Sequence, residues 1–518
     1  MNRLHVPDAP KRRQIPLLLT AAVVALALCI RVHGLGRESL WLDEGFTWQR
    51  SQLPIREIIP NAIAAHHNPT YFVLLHGWMQ LGDDEFMLRF PSALAGALAA
   101  GATCVLGWVL GGPIAGIVAG VLLAVAPLQV HFGQEARMYS ALCATATTAA
   151  AAVFWFGTHP EAAARPIFGS RWLQRRWRRS GAGASQPSAA SPPYRVWAAY
   201  QLGMLASLYL HNTSVIFAAT LGVAVLAVCV HPFRQRIAFL INFVVASSVV
   251  LVGWGVYLRT ELAQAERFSN ENFWASFPTR KDLLGYLREI YVLTAAVPST
   301  LSILLLAAAA LGVVKLRKHP EVALAAVVFA ALGPALMLLV SLYKPLFGTR
   351  LLLWVSPAFF ALVGTGVARL RSTTFACAYL LAIGFLVRPQ LARDYRELTN
   401  EPWRDVMSLI QTRSVPGARI ITASFEEHTM FDYYMHRRTR PFAKIPVLIK
   451  KRREAWRLTI GSPRVWIVDR KSGTRFVRLK ADLEARGVAA WDRRWNEQLR
   501  VVEFDLPRVA NRGRASLN

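Results

Sequence analysis

The chain has 518 residues, 54% of them hydrophobic and 17% charged, with a formal net charge of +28. Soluble domains carry about 25% charged residues, and long apolar runs separated by basic clusters account for the deficit, so the chain reads as a polytopic α-helical membrane protein. Much of the positive charge lies in short links between apolar runs, which points to an anionic membrane surface as partner and argues against nucleic acid.

The first apolar run, Ile15 to Ile30, follows Lys11, Arg12 and Arg13. This puts the N-terminus in the cytoplasm and the next loop, 33–90, outside. Arg31-Val32-His33 follows the run where a signal peptide would have small residues, so the span is expected to be retained as an anchor. The external loop carries Leu40-Trp41-Leu42-Asp43-Glu44-Gly45-Phe46-Thr47. A carboxylate pair at a membrane boundary is costly unless it binds a cation or moves a proton. The run from Pro69 to Leu81 is shorter than the roughly 20 residues a spanning helix needs and carries Tyr71, His76, Trp78 and Gln80. It reads as an interfacial or re-entrant helix.

Further spans are expected near 91–110, 114–130, 138–157, 196–211, 214–230, 237–258, 299–314, 321–342, 351–368 and 373–387, giving about 11 with the first. The cytoplasmic links are then Gly111-Gly112, the Arg-rich loop 158–195, residues 231–236, Lys315 to Lys318 and Arg369 to Arg371. All but the glycine turn are basic, as the positive-inside rule requires. Within 158–195, Arg171, Arg175, Arg176, Arg178 and Arg179 read as an interfacial segment, and Gly181 to Pro193 as a flexible linker. The five cysteines lie in apolar runs without CxxC spacing and read as small hydrophobes.

Residues 1–388 thus form a spanning module, and 389–518 a small α/β extracytoplasmic domain. In the latter, helices are expected at Trp403 to Thr412, Glu426 to Met435 and Thr474 to Ala485, and strands at Ala418 to Ala423, Val465 to Val468 and Leu499 to Phe504. No GxGxxG fingerprint occurs in it. Asn511 to Asn518 is expected to be a disordered tail.

This topology collects polar clusters on the external side: Asp43-Glu44, His66-His67-Asn68-Pro69, Asp83-Asp84-Glu85, Gln134 to Tyr139, His211-Asn212, the loop 259–291, and Tyr343-Lys344-Pro345 to Arg350. Carboxylates and cations together suit a hydroxyl nucleophile and a phosphate leaving group, the carboxylate taking the proton and the cations stabilising the departing anion.

Four stretches, in order, resemble the GT-C membrane glycosyltransferases. They are Leu40 to Glu44, His67 to Tyr71 continuing through Leu75-His76-Gly77-Trp78, Glu85 to Ala93, and Gln134 to Tyr139. The likeness is to family 39 and its relatives, the protein O-mannosyltransferases and the bacterial aminoarabinose lipid A transferases. Tyr343 to Leu353 and Glu401-Pro402-Trp403-Arg404 match later landmarks of the bacterial members.

The resemblance implies a GT-C fold and a polyprenyl-phosphate-linked sugar as donor. It implies transfer with inversion on the non-cytoplasmic face to a lipid, polysaccharide or protein acceptor. Asp43 maps to the family's base and Glu44 to the neighbouring acid. Glu135 and Arg137 map to the second external loop, assigned to orienting donor or acceptor, and His67, Tyr71, Tyr139, Lys344 and Arg350 are further candidates for donor phosphate or substrate. Asp43 and Glu44 are also where a divalent metal would bind, although a single phosphate does not require one. Where the aminoarabinose transferases carry a lysine before Pro-Pro, this chain has His67-Asn68-Pro69-Thr70, which argues against their donor. The repeat domain of the eukaryotic O-mannosyltransferases is missing, so a bacterial enzyme of the inner or plasma membrane is expected.

Two other readings compete. A flippase or transporter for a lipid-linked sugar predicts mid-membrane carboxylates or broken helices and an internal repeat. A non-catalytic cell-envelope assembly protein leaves the Asp43-Glu44 and Glu135-Arg137 clusters without a role.

Overall fold

The computed structural model describes residues 11–163, 194–229, 233–270, 279–292, 299–397, 399–415, 417–422, 425–436, 462–470, 477, 480, 481, 483–485, 488–495 and 499–506. The chain opens with α1 (Lys11–Val32), then the short helices α2 (Leu42–Ser51), α3 (Ile55–Ala64) and α4 (Thr70–Trp78). Next come α5 (Glu85–Gly111), α6 (Pro113–Val125), α7 (Pro127–Gly133), α8 (Tyr139–Thr158) and α9 (Pro160–Ala163). After them run α10 (Tyr194–Leu210), α11 (Ser214–Cys229), α12 (Phe233–Asn270) and α13 (Arg280–Val292). The helical series closes with α14 (Ser299–Lys315), α15 (Pro320–Tyr343), a 3₁₀ segment Thr349–Val355, α16 (Ser356–Val367) and α17 (Thr373–Arg396). The C-terminal part comprises α18 (Trp403–Arg413), β1 (Arg419–Thr422), α19 (Phe425–His436), β2 (Arg464–Asp469), β3 (Val488–Trp495) and β4 (Leu499–Asp505).

These elements form two compact units. One holds the described residues through Leu35, Ile55–Leu75 and Arg89–Arg396; the other holds Gly36–Pro54, His76–Leu88 and the described residues from Glu397 onward. The loop 33–90 is therefore divided between them, and the Asp43-Glu44 stretch belongs to the same unit as the C-terminal α/β elements.

The first unit is a helical membrane body. Among the described residues seven helices are long and apolar enough to span a bilayer, and an eighth is formed by α6 and α7 if the pair counts as one span. Each of the eleven stretches expected from hydropathy is helical, and α4 is too short to span. At the centre lies α16, whose twelve residues are all buried. A helix that is apolar on every side belongs inside protein. Small residues let backbones meet there: a Cβ on Gly366 would run into the Ala308 carbonyl of α14, and one on Gly364 into the Ala115 carbonyl of α6. Gly112, at φ +88°, turns the chain between α5 and α6, and Pro113 opens the second helix.

One expected span departs from the single helix read from hydropathy. The run 114–130 breaks at Ala126 into α6 and α7, which meet at 61°. Pro127, at the start of α7, lacks an N–H and cannot continue the ladder. The Leu123 and Ala124 carbonyls, in the last turn of α6 at the break, accept from the Arg31 guanidinium at 3.3 and 3.1 Å, and the same group donates to Ala27 on its own helix and to Gln129 on α7 at 3.1 and 3.3 Å.

The second unit contains a four-stranded sheet of order β1-β2-β4-β3, β1 parallel to β2 and the other pairs antiparallel. Ile421, Val465, Ile467, Leu483, Val502 and Phe504 form its core. The helices and strands expected around Trp403, Ala418, Glu426, Val465 and Leu499 all form, and the described residues between 477 and 484 are helical. Strand β3 was not expected. Its Asp492, Arg493 and Arg494 are exposed, so it lacks the apolar alternation that marks a buried strand. The arginines of the 171–179 segment, the 181–193 linker and the 511–518 tail lie outside the described residues.

Candidate active site

In the membrane unit the turn between α7 and α8 is held from several sides. Gln134 Nε2 donates to the Arg31 and His33 carbonyls, both at 2.9 Å. The Arg137 amide closes a tight turn on the Glu135 carbonyl at 2.7 Å. The Ser92 hydroxyl donates to the Arg137 carbonyl at 2.8 Å and pairs with the Tyr71 hydroxyl at 2.9 Å. Tyr71, a substrate candidate, thus has its hydroxyl tied into the frame that holds Arg137. Glu135, Arg137 and Tyr139 are all buried.

This frame brings two cations to one ring. The guanidinium carbon of Arg137 lies 5.7 Å from the Tyr139 centroid and that of Arg350 lies 5.8 Å from it, within cation–π range. His211 packs on the same ring at 5.8 Å. Burial, followed by the charges of Arg137 and Arg350, pushes the His211 imidazole down to about 3, so it is neutral at ordinary pH. Two arginines around an aromatic ring beside a neutral histidine make a cationic patch suited to a phosphate.

Carboxylates flank the patch. Glu135 Oε1 lies 3.1 Å from His131 Nε2, while its buried Oε2 has no hydrogen-bond partner among the described residues. Glu289 on α13 has its carboxyl pushed up by burial, against the opposing pull of a Thr349 hydrogen bond and of His131. The sequence reading did not single out His131 or Glu289. Only a tertiary contact distinguishes them from other polar residues at helix ends. His67 packs edge-on against Phe72 at 5.9 Å, following the left-handed His66 at φ +59°. Lys344 caps α15, its amide bonded to the Val340 carbonyl.

In the second unit Asp43 and Glu44 occupy the first turn of α2 but have different surroundings. Glu44 is fully buried, and its Oε2 accepts the Trp41 N–H at 3.2 Å, the returning half of a capping box. Asp43 is half-buried, its carbonyl accepting the Thr47 hydroxyl at 2.8 Å. A divalent ion finds a poor donor set here, because the Glu44 carboxylate is engaged in closing the helix. Among the described residues no group of three or more His, Cys, Asp or Glu side chains could hold a metal.

No family model matches the sequence, and no curated protein matches it. Solved structures do. ArnT from Cupriavidus metallidurans in the apo state is 14% identical over 93% of this chain and 97% of its own, with a TM-score of 0.59. The same protein bound to undecaprenyl phosphate gives 0.55 at the same identity and coverage. The Archaeoglobus fulgidus oligosaccharyltransferase, tethered with an acceptor peptide containing the NVT sequon, gives 0.51 at 11% identity over 95% of this chain and 74% of its own. At these identities the likeness is one of fold. The chain is an integral membrane protein with the GT-C fold of the membrane glycosyltransferases.

Proposed function

We propose that the chain is an inverting glycosyltransferase that moves a sugar from a polyprenyl phosphate to an acceptor hydroxyl on the extracytoplasmic face of a bacterial inner or plasma membrane. The observation that carries the reading is the pairing of Arg137 and Arg350 around Tyr139 beside a neutral His211. A single phosphate on an apolar tail fits such a patch in a membrane body, and the similar fold of ArnT bound to undecaprenyl phosphate supports that class of donor. On this reading about 11 helices cross the membrane, and the basic links lie in the cytoplasm.

The reaction follows from the residues. Asp43 takes the acceptor proton as the oxygen attacks the anomeric carbon. The bond from that carbon to the phosphate oxygen breaks, and its electron pair leaves with the polyprenyl phosphate. The arginines stabilise the negative charge that accumulates on the phosphate. Lys344 is a further candidate for the same task. Glu135 and Glu289 would orient substrate hydroxyls. Glu44 serves by fixing the helix that carries Asp43.

The test uses purified full-length protein in detergent, undecaprenyl-phosphate-linked sugars as donors and a cell-envelope extract as acceptor source. Undecaprenyl phosphate released from one donor by the wild type, and lost in Asp43→Asn, supports the reading. Equal release by the variant removes Asp43 as the base.

A further inference from the structure

Helix α2 is only ten residues long, yet it carries the residue assigned as base. Its position is set from a distant part of the chain. Gly45, two residues after Asp43, faces α19: a Cβ there would lie 2.5 Å from Met430 Sδ. Glycine is a poor residue for a helix interior, so its presence at this position is explained by the close approach of the second helix. Above this contact the Leu40 amide donates to the Tyr434 hydroxyl at 2.8 Å. Below it Trp48 packs edge-on against Tyr433 at 5.0 Å. The Tyr433 hydroxyl also bonds the Asp83 carbonyl at 3.1 Å, and Asp83 Oδ2 accepts the Trp48 N–H at 3.2 Å.

A second clamp holds the segment leading into α2. Arg404 at the head of α18 pairs with Glu85 at 2.7 Å and donates to the Gly36 and Arg37 carbonyls at 3.1 and 3.2 Å. The Asn400 side chain donates to the Ser39 carbonyl at 2.9 Å. Both ends of the Asp43 helix are therefore tied to α18 and α19.

We propose that the C-terminal domain acts as the positioning element for Asp43, with α19 as the buttress of α2 and Gly45 as the point of closest approach between the two helices. The proposal rests on the reading of Asp43 as the base. It gives the domain a role in turnover itself. Tyr433, Tyr434 and Arg404 become positioning residues.

The experiment is a rescue in the full-length chain. Gly45→Ala adds one methyl group against Met430 and otherwise favours the helix. Gly45→Ala/Met430→Ala removes the obstruction. Turnover of the donor panel, affinity for undecaprenyl phosphate and deuterium exchange of the α2 amides are measured for each. Gly45→Ala is expected to lower turnover at least tenfold with lipid-phosphate affinity within twofold of wild type, and to speed α2 exchange. The double variant is expected to regain at least threefold in turnover and to slow that exchange again. Wild-type turnover in Gly45→Ala, or a double variant no better than the single one, overturns the proposal. Asp43→Asn turning over like wild type overturns the base reading alone, because the exchange of α2 is read without turnover.

Discussion

Replacing Arg31 should be among the most damaging single changes in the membrane unit. The side chain is fully buried and threads between two glycines, where a Cβ on Gly96 or Gly133 would come within 2.5 or 2.8 Å of Nε. Its guanidinium donates to four carbonyls, two of which, Leu123 and Ala124, close α6 at the α6–α7 break. Arg31→Met keeps much of the volume and leaves those carbonyls without their donor. A net loss of about 1.5 kcal/mol, the low end for a charged donor, for each of the two carbonyls that α6 leaves open at the break, Leu123 and Ala124, sums to about 3 kcal/mol. Reversible unfolding in mixed detergent–SDS micelles reads the change as a difference in unfolding free energy. Arg31→Lys, with three donors and a shorter reach, should recover only part. A loss below about 1 kcal/mol for Arg31→Met would refute the reasoning, because the break would then be held by its own packing.

Three further outcomes follow from the site. Arg137→Gln or Arg350→Gln should each weaken undecaprenyl phosphate binding about 30-fold, the worth of one charge-assisted contact of about 2 kcal/mol, as read by calorimetry. Each should also raise the His211 pKa, observable by nitrogen NMR, since their charges help to depress it. His211 governs an acid dependence of known sign. Between its ordinary value of 6.5 and about 3 the unfolded chain binds a proton that the folded chain does not, so stability falls as pH falls through that window. At pH 5 this amounts to about 2 kcal/mol, and His211→Phe should lose correspondingly less stability than wild type on acidification from pH 7 to 5. The two adjacent carboxylates should separate in turnover assays. Glu44→Gln keeps an oxygen for the Trp41 N–H and should stay within about threefold of wild type, whereas Asp43→Asn should lose about 10³-fold. A Glu44→Gln variant as inactive as Asp43→Asn would show that Glu44 does more than close the helix.

The helices were legible because long apolar runs carry the same information in sequence and in space. The shortness of Pro69 to Leu81 kept it from being counted as a span. What was not legible depended on contacts between distant residues. Asp43 and Glu44 look equivalent as a pair, and only the Glu44–Trp41 bond distinguishes the capping residue from the one left half-buried. Arg137 and Arg350 were each readable as candidate cations at helix ends, but nothing in the sequence says that both approach Tyr139. His131 carried no signal, and Glu289 was only one polar residue within the loop 259–291. The break at Pro127 was hidden by the continuous apolarity of 114–130, in which the proline was the one clue.

That break also bears on the choice between transferase and transporter. A transporter keeps broken helices so that freed backbone groups can coordinate a substrate or a coupling ion near mid-membrane. Here the freed carbonyls of Leu123 and Ala124 are already occupied by Arg31, which also holds the Gln129 carbonyl on α7, and Gln129 is further fixed through its side chain to the Leu353 carbonyl at 2.9 Å. A break filled from within the fold cannot present those groups to cargo. Its effect is geometric: it turns α7 so that the chain leaves at Gln134 and re-enters at Tyr139 with Glu135 and Arg137 between them. The guanidinium therefore serves as a built-in counterpart to the missing helical bonds, and it makes rigid the turn whose arginine faces Tyr139. Rigidity at that turn suits a reaction that must hold a leaving phosphate in one position.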